Sequence, residues 1–403
     1  MATFNGIDLL SEAGDAGALL YLSRAPELLE HQASGVQWLA DGVEVEMRAG
    51  VRAVVARGLS ASTQDEAFEA GLDAVQAGLD LLAARGVASA AVAEADAERF
   101  VWWSDDEGRY IRFIGSAILP LEVGQVRILV DGQPPAPAPV PTEPHPSMRY
   151  FRLAQVTGDL TDAWRNMYLA VECLLDDICP QRQEGEGAWV LRAFATAHQR
   201  HDLSQFAPDG PGDIEARLKS RYYTDRRLPL FHSKQSRSRG SLSSRRERDE
   251  LQAAYGHLSS MYLYLLRNVA GVRYASSGYF ASGFRMLAEG MGLNTAFLTD
   301  DTHRELSATE VAVRPGYGLL STPLTRTPEF DVPFYVAYRG EVSVTALHDE
   351  MPAVRQVTLA TGASPACGFD FEGELDLKGF DLLELVVGPR GVNKQTYRTR
   401  YAT

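Results

Sequence analysis

The sequence predicts an α+β multidomain chain in which a central all-α segment is flanked by an N-terminal α+β domain and a C-terminal β domain. Three observations carry that expectation. Residues 131–147, DGQPPAPAPVPTEPHPS, hold seven prolines, which neither pair in a sheet nor continue a helix and favour extended backbone, so this stretch reads as a linker. Beyond Met148 apolar residues recur at helical spacing for more than a hundred residues, and after Ala275 short apolar or alternating runs stand between Gly, Pro and Asp turns. A chain of 403 residues also exceeds one ordinary core. The divisions expected are 1–130, 131–147, 148–275 and 276–403.

In the N-terminal part, Val43 to Met47 alternates as a strand would and Val51 to Ala56 is a second apolar run. Phe68, Leu72, Val75, Leu79 and Leu82 then recur at spacings of four and three, which places one apolar stripe on a helix that Gly86 ends. Strands are predicted at Phe100–Trp103, Tyr110–Ile114 and Val126–Val130, the first two joined by a turn from Asp105 to Gly108. In the centre, Leu160, Trp164, Met167, Tyr168, Val171, Leu174, Leu175 and Ile178 form a wide stripe, with Asp159 or Thr161 as N-cap and Pro180 as the stop. Further helices are expected at Ala188–His198, from Asp213 to about Asp225, and from Arg245 or Glu247 to Asn268, which makes a four-helix bundle. The Ser/Arg-rich loop SKQSRSRGSLSS, residues 233–244, separates the last two. The C-terminal strands are expected at Pro333–Tyr338, Glu341–Ala346, Val354–Ala360, Phe369–Leu377, Leu382–Val387 and Thr396–Tyr401.

Composition narrows function. A formal charge of -14 repels phosphates on average, so indiscriminate coating of nucleic acid or anionic membrane is excluded and any polyanion must meet a local patch. Cys173, Cys179 and Cys367 are too few and too irregular for a disulfide framework or a zinc site, which fits a reduced cytoplasmic setting. No stretch has the roughly 20 apolar residues that a membrane span requires, and the phosphate-loop, dinucleotide and nucleophile-elbow motifs are missing. No cofactor is therefore expected. His198 and His201, with Asp202 beside them, have metal-like spacing but no further partner, so no metal site is expected either, and Trp102-Trp103 reads as one residue in and one out of a sheet.

The sign of the charge reverses in residues 217–248. Eleven Lys or Arg (Arg217, Lys219, Arg221, Arg226, Arg227, Lys234, Arg237, Arg239, Arg245, Arg246, Arg248) stand there against Asp225 and Glu247, a net of +9. Such a segment suits a phosphate backbone, or else pairs with acidic faces that include Asp176 and Asp177. His232 lies at its edge, and an imidazole can exchange protons near neutral pH. Arg227 stays charged at any pH and can grip a phosphate with two donors. Together they suit attack of a ribose 2'-hydroxyl on the adjacent phosphate, without a metal. The plainer reading makes Leu228, Leu230 and Phe231 the anchors of a helix-connecting loop.

Arg227-x(4)-His232 between two amphipathic helices resembles the signature of HEPN domains, helical-bundle proteins that include many prokaryotic RNases; the resemblance covers residues 150–275. It implies a metal-independent endoribonuclease whose site is shared across a homodimer, with roles in antiviral defence or toxin–antitoxin systems. Arg227 and His232 would be catalytic and RNA the partner. By the same resemblance the helix with Trp164 to Tyr168 looks like the first helix of such a domain, which makes Arg165, Asn166 and Glu172 supporting residues. Arg226 and Lys234 flank the motif, while Arg221, Arg237, Arg239, Arg245 and Arg246 would contact nucleic acid. Leu228-Pro229 departs from the polar residue, often Asn, that commonly follows the motif arginine. Arg192 with His198, and Arg267 with Val272 in place of a histidine, are poorer matches. The alternative function is a non-catalytic scaffold or ligand- and nucleotide-binding protein that dimerises through its helices.

Overall fold

Two short strands, β1 (Thr3–Phe4) and β2 (Ile7–Asp8), begin the chain and are joined through Asn5 and Gly6, both at positive φ. In the computed structural model, residues 2–28, 34–93, 98–119, 144–157, 159–231, 245–272, 281–302, 310–329 and 335–391 are described. There follow β3 (Ala16–Tyr21), β4 (Ser34–Trp38), β5 (Glu44–Arg48), β6 (Ala53–Leu59), α1 (Gln64–Ala84), β7 (Arg99–Asp105) and β8 (Gly108–Leu119). The middle of the chain is helical: α2 (Pro146–Val156), α3 (Leu160–Ile178), α4 (Glu186–His201), α5 (Ile214–Leu218), a π-helical segment (Lys219–Arg227), α6 (Leu228–Phe231) and α7 (Arg245–Ala270). The last part supplies α8 (Ala281–Gly290), β9 (Thr295–Thr299), β10 (Leu319–Pro323), β11 (Thr325–Thr327), β12 (Ala337–Ser343), α9 (Val344–Glu350), β13 (Val354–Thr361), β14 (Ser364–Asp376) and β15 (Leu382–Gly391).

The expected fold class is overturned. The fold is mixed α/β, and no all-α bundle stands between two separate flanking domains. Contacts divide the chain into two units, one made of the described residues up to Leu119 together with those from Ala281 on, the other of the residues between. Both ends of the chain build the same two sheets, with strand orders β10-β9-β13-β14-β1-β2 and β11-β12-β15-β8-β7-β3-β6-β5-β4. The decisive joint is a parallel ladder that pairs Tyr110–Leu119 with Leu382–Gly391, and β1 pairs β14 in the other sheet. Periodicity tells which residues share a face but not which distant strand lies alongside. Helices are also found outside the middle, in α1, α8 and α9.

In this first unit the sheets meet through aromatic side chains. Phe100 and Phe113 of the nine-stranded sheet lie 5.2 and 4.8 Å, centroid to centroid, from Phe371 of the six-stranded one. The outer face of the nine-stranded sheet is covered by α1, whose Phe68, Leu72, Val75, Leu79 and Leu82 pack on Leu20, Val45, Met47 and Val54. Thr63 caps this helix by accepting from the Glu66 amide. Close approach requires glycine on the buried side: a Cβ at Gly71 would lie 2.4 Å from Ala18 Cβ, and one at Gly78 2.7 Å from Val45.

The strands expected at Val354, Phe369 and Leu382 form as β13, β14 and β15. The one expected at Glu341–Ala346 stops at Ser343, where α9 begins, and α8 is a helix in what reads as strand-like sequence. The segments 126–130 and 396–401 lie outside the described residues, as does most of the proline-rich stretch.

In the helical unit the stripe of α3 is buried as expected, from Ala163 and Trp164 through Ile178, with Asp159 as its N-cap. Each fully buried large side chain of this kind contributes about 1.5–3 kcal/mol. The stripe packs with Trp189 and Phe194 of α4 and Leu251, Tyr255, Leu258 and Tyr262 of α7. Two departures matter here. The end of the proline-rich stretch itself starts α2, with Pro146 in its first turn and His145 as N-cap. The expected third helix is a longer run, 214–231, that passes through the π-helical segment; Leu218 and Leu228 both keep helical φ/ψ at its ends.

Candidate functional site

Arg227 is the last residue of the π-helical segment. The Leu228 amide bonds back to the Tyr223 carbonyl, five residues earlier, and Pro229 has no amide hydrogen to continue the ladder. At that point the Arg227 guanidinium lies 5.5 Å from the Tyr223 ring centroid and 4.9 Å from that of Phe231. It forms an ion pair with Glu186, in the first turn of α4, and only 14% of its side-chain surface is exposed. The cation is thus pinned between two rings and a carboxylate, which fixes its direction.

A second carboxylate faces the same group. On α3, Glu172 is pushed up to about 7 by burial first and by the negative charge of Glu186 second, against the pull of Arg227. Burial and Glu172 raise the Tyr168 phenol well above its ordinary range, and burial and Glu186 raise Tyr223. Burial thus favours the protonated form of Glu172 beside the Arg227–Glu186 ion pair. The sequence points to Arg227 and Glu172 but not to Glu186 or Tyr223. The available signal was physical: an arginine between Tyr223 and Phe231 needs a counter-ion, and Glu184 and Glu186 stand just ahead of the apolar period of α4.

The other expected site residues are scattered. Arg165 does reach the motif segment: its Nε donates to the Leu230 carbonyl at 3.0 Å, a second guanidinium nitrogen donates to the same oxygen, and Nη1 reaches Asp162 at 3.1 Å. It thereby supplies two donors to a carbonyl of α6. Asn166 does not join it, since its amide donates to the Asp162 carbonyl of its own helix at 2.8 Å. Arg226 turns to α7 and pairs with Glu250 at 2.9 Å, where Arg246 also pairs at 3.0 Å. Arg221 lies over the Tyr222 ring at 5.6 Å. Arg245 is the first residue of α7. His232, Lys234, Arg237 and Arg239 lie outside the described residues.

One further polar chain carries no substrate chemistry. The His145 ring lies between the Asp177 carboxylate and Ser147 Oγ, 2.7 Å from the latter, and Ser147 Oγ is 3.2 Å from Tyr262 Oη. The order Asp-His-Ser resembles a hydrolase triad, yet Ser147 is 0% exposed and no substrate reaches it. Nε2 lies against the Asp177 carboxylate and the Ser147 amide donates to Nδ1, so the chain ties α2 to α3 and α7. Among the described residues, no group of three or more His, Cys, Asp or Glu could hold a metal ion, and no helix is long and apolar enough to cross a membrane. The chain matches no protein-family model, no curated protein and no solved structure.

Proposed function

We propose that the helical unit is a metal-independent endoribonuclease of HEPN type, acting as a cytoplasmic homodimer in antiviral defence or a toxin system, with Arg227 and His232 as its working residues. The observation that supports this reading is the fixed placement of Arg227, held by Tyr223, Phe231 and Glu186 at the start of the segment that leads to His232. Arg165 anchors that segment at Leu230, two residues before the histidine. Preorganised charge of this kind stabilises an oxyanion at no reorganisation cost in the transition state.

In the reaction, the His232 imidazole takes the proton of a ribose 2'-hydroxyl, whose oxygen bonds to the adjacent phosphorus. The bond from phosphorus to the 5'-oxygen breaks, and that oxygen receives a proton from the protonated imidazole. The products are a 2',3'-cyclic phosphate and a 5'-hydroxyl. Arg227 neutralises charge on the pentavalent phosphorus centre, and the phosphate takes the place that Glu186 holds beforehand. The test is cleavage of total RNA and tRNA in EDTA by the wild type and His232→Ala. Cutting that leaves cyclic phosphate ends and is lost in the variant supports the reading; equal inertness of both proteins overturns it and leaves Leu228, Leu230 and Phe231 as structural anchors.

A further inference from the structure

A cleft of about 490 Å³ opens in the helical unit on the side of the 214–231 run that carries Arg226. One wall is the loop before α5, with Pro208 and Pro211; the opposite wall is α7, with Ala253 and Ala254. Arg217, Ser220 and Arg221 come from the run itself. The size falls in the range of small-molecule sites, and the proline and alanine faces offer flat apolar surface beside a charged floor.

The charges in the cleft divide into satisfied and unsatisfied. Of the carboxylates that line it, Glu250 is engaged by both Arg226 and Arg246, Asp225 accepts from the Ser220 hydroxyl at 3.1 Å, and Asp209 stands in the loop wall beside Pro208. Arg217 and Arg221, by contrast, form no ion pair among the described residues. Arg217 Nη1 donates to the Pro208 carbonyl at 2.6 Å, and its Nε is buried with no hydrogen-bond partner. Arg221 leans on the Tyr222 ring, and burial together with its positive field holds the His257 imidazole below its ordinary range. Two guanidinium groups that line one cleft repel each other. A buried donor without an acceptor also costs stability. An anion in the cleft would offset the repulsion, and a dianion answers two cations best; the Arg217 Nε, sealed from solvent, is not part of that contact.

We propose that this cleft binds a phosphomonoester, with the phosphate on Arg217 and Arg221 and the organic part against Pro208, Pro211 and Ala253. The site contains neither Arg227 nor His232 and does not depend on RNA cleavage. A phosphomonoester carries close to two negative charges at neutral pH and three strong acceptors, which suits a forked pair of arginines. Two sources share this chemistry: a free phosphorylated small molecule and the 5'-phosphate of an RNA end.

Calorimetric titration of the full-length protein with phenyl phosphate, inorganic phosphate and phenol tests the assignment. Phenyl phosphate should bind more tightly than either fragment, and more tightly at about pH 8 than at about pH 5, because the phosphate's second proton leaves near pH 6. Arg221→Glu, on a partly exposed side chain, should weaken it about tenfold or more, and Ala253→Trp, which fills the cleft, should abolish it. Circular dichroism checks that both variants are folded. Binding that is no tighter than that of phenol, or that persists in both variants, overturns the proposal. Trinucleotide RNAs with a 5'-phosphate or a 5'-hydroxyl separate the sources: a preference for the phosphorylated RNA over phenyl phosphate identifies an RNA end, and the reverse order identifies a free small molecule. If wild type binds phenyl phosphate yet never cleaves RNA, the cleft stands and the nuclease reading falls; if it cleaves RNA without binding any phosphomonoester, the nuclease stands and the cleft assignment falls.

Discussion

Replacing Glu172 with Gln tests the electrostatics of the Arg227 cluster directly. The carboxyl is raised from its usual 4.5 to about 7 in the folded protein, mainly by burial. Between those two pH values the folded chain binds the proton more tightly than the unfolded chain, so stability falls as pH rises through that window and the full penalty is present above about 7. A shift of about 2.5 pH units corresponds to roughly 3.4 kcal/mol, which solvent screening at this half-buried side chain reduces to about 2 kcal/mol. Gln copies the protonated acid in shape and cannot ionise. At about pH 8 Glu172→Gln should therefore be more stable than the wild type by about 2 kcal/mol, whereas below about pH 4.5 the two should be nearly equal. With a urea slope of about 1–3 kcal/mol per molar, the midpoint followed by helical ellipticity moves up by roughly 1 M at the higher pH. Parallel pH profiles for the two proteins, or an NMR titration of the Glu172 carboxyl centred below about pH 5, would refute the reasoning.

Other consequences follow from the same contacts. Glu186→Gln leaves Arg227 without its carboxylate and removes the charge that opposes Glu172; the Glu172 titration should move to lower pH by NMR while the unit loses about 1–3 kcal/mol in urea. Arg165→Met keeps the aliphatic stem but deletes the donors to the Leu230 carbonyl, which should cost about 1.5–3 kcal/mol and show as faster exchange of the Leu228, Leu230 and Phe231 amides. Gly71→Val puts a side chain where a Cβ already meets Ala18 at 2.4 Å, so α1 must lift from the sheet, with a loss of about 1–3 kcal/mol in thermal melts of the first unit.

Much of the local structure was legible because it depends on neighbours in sequence. The stripe of α3, the cap at Asp159, the turn closed by Asp105 and the hairpin of β7 and β8 all follow from patterns within a few residues. The assembly was not legible, for a definite reason. The ladder between β8 and β15 joins residues some 270 apart, and nothing in either strand names its partner. The tail of the proline-rich stretch misleads in the same way: Pro146 is a helix breaker in an interior and a helix starter at the first turn, and the difference is made by His145 and Ser147 around it.

The site was half legible, and the missing half is geometric. The reversal of charge in residues 217–248 could be counted, but which cations already have partners could not: Arg226 and Arg227 are adjacent in sequence and pair with different helices, Glu250 of α7 and Glu186 of α4. An α-helix advances about 100° per residue, whereas a turn closed five residues back advances less. Nine residues of that geometry carry Arg227 away from the face that α-helical spacing would assign to it. Pro229 belongs to the same explanation. Read as sequence, Leu228-Pro229 weakens the motif; in the fold, the proline follows the widened turn at the place where an amide hydrogen is not required, and Arg227 is aimed by the turn rather than by the residue after it.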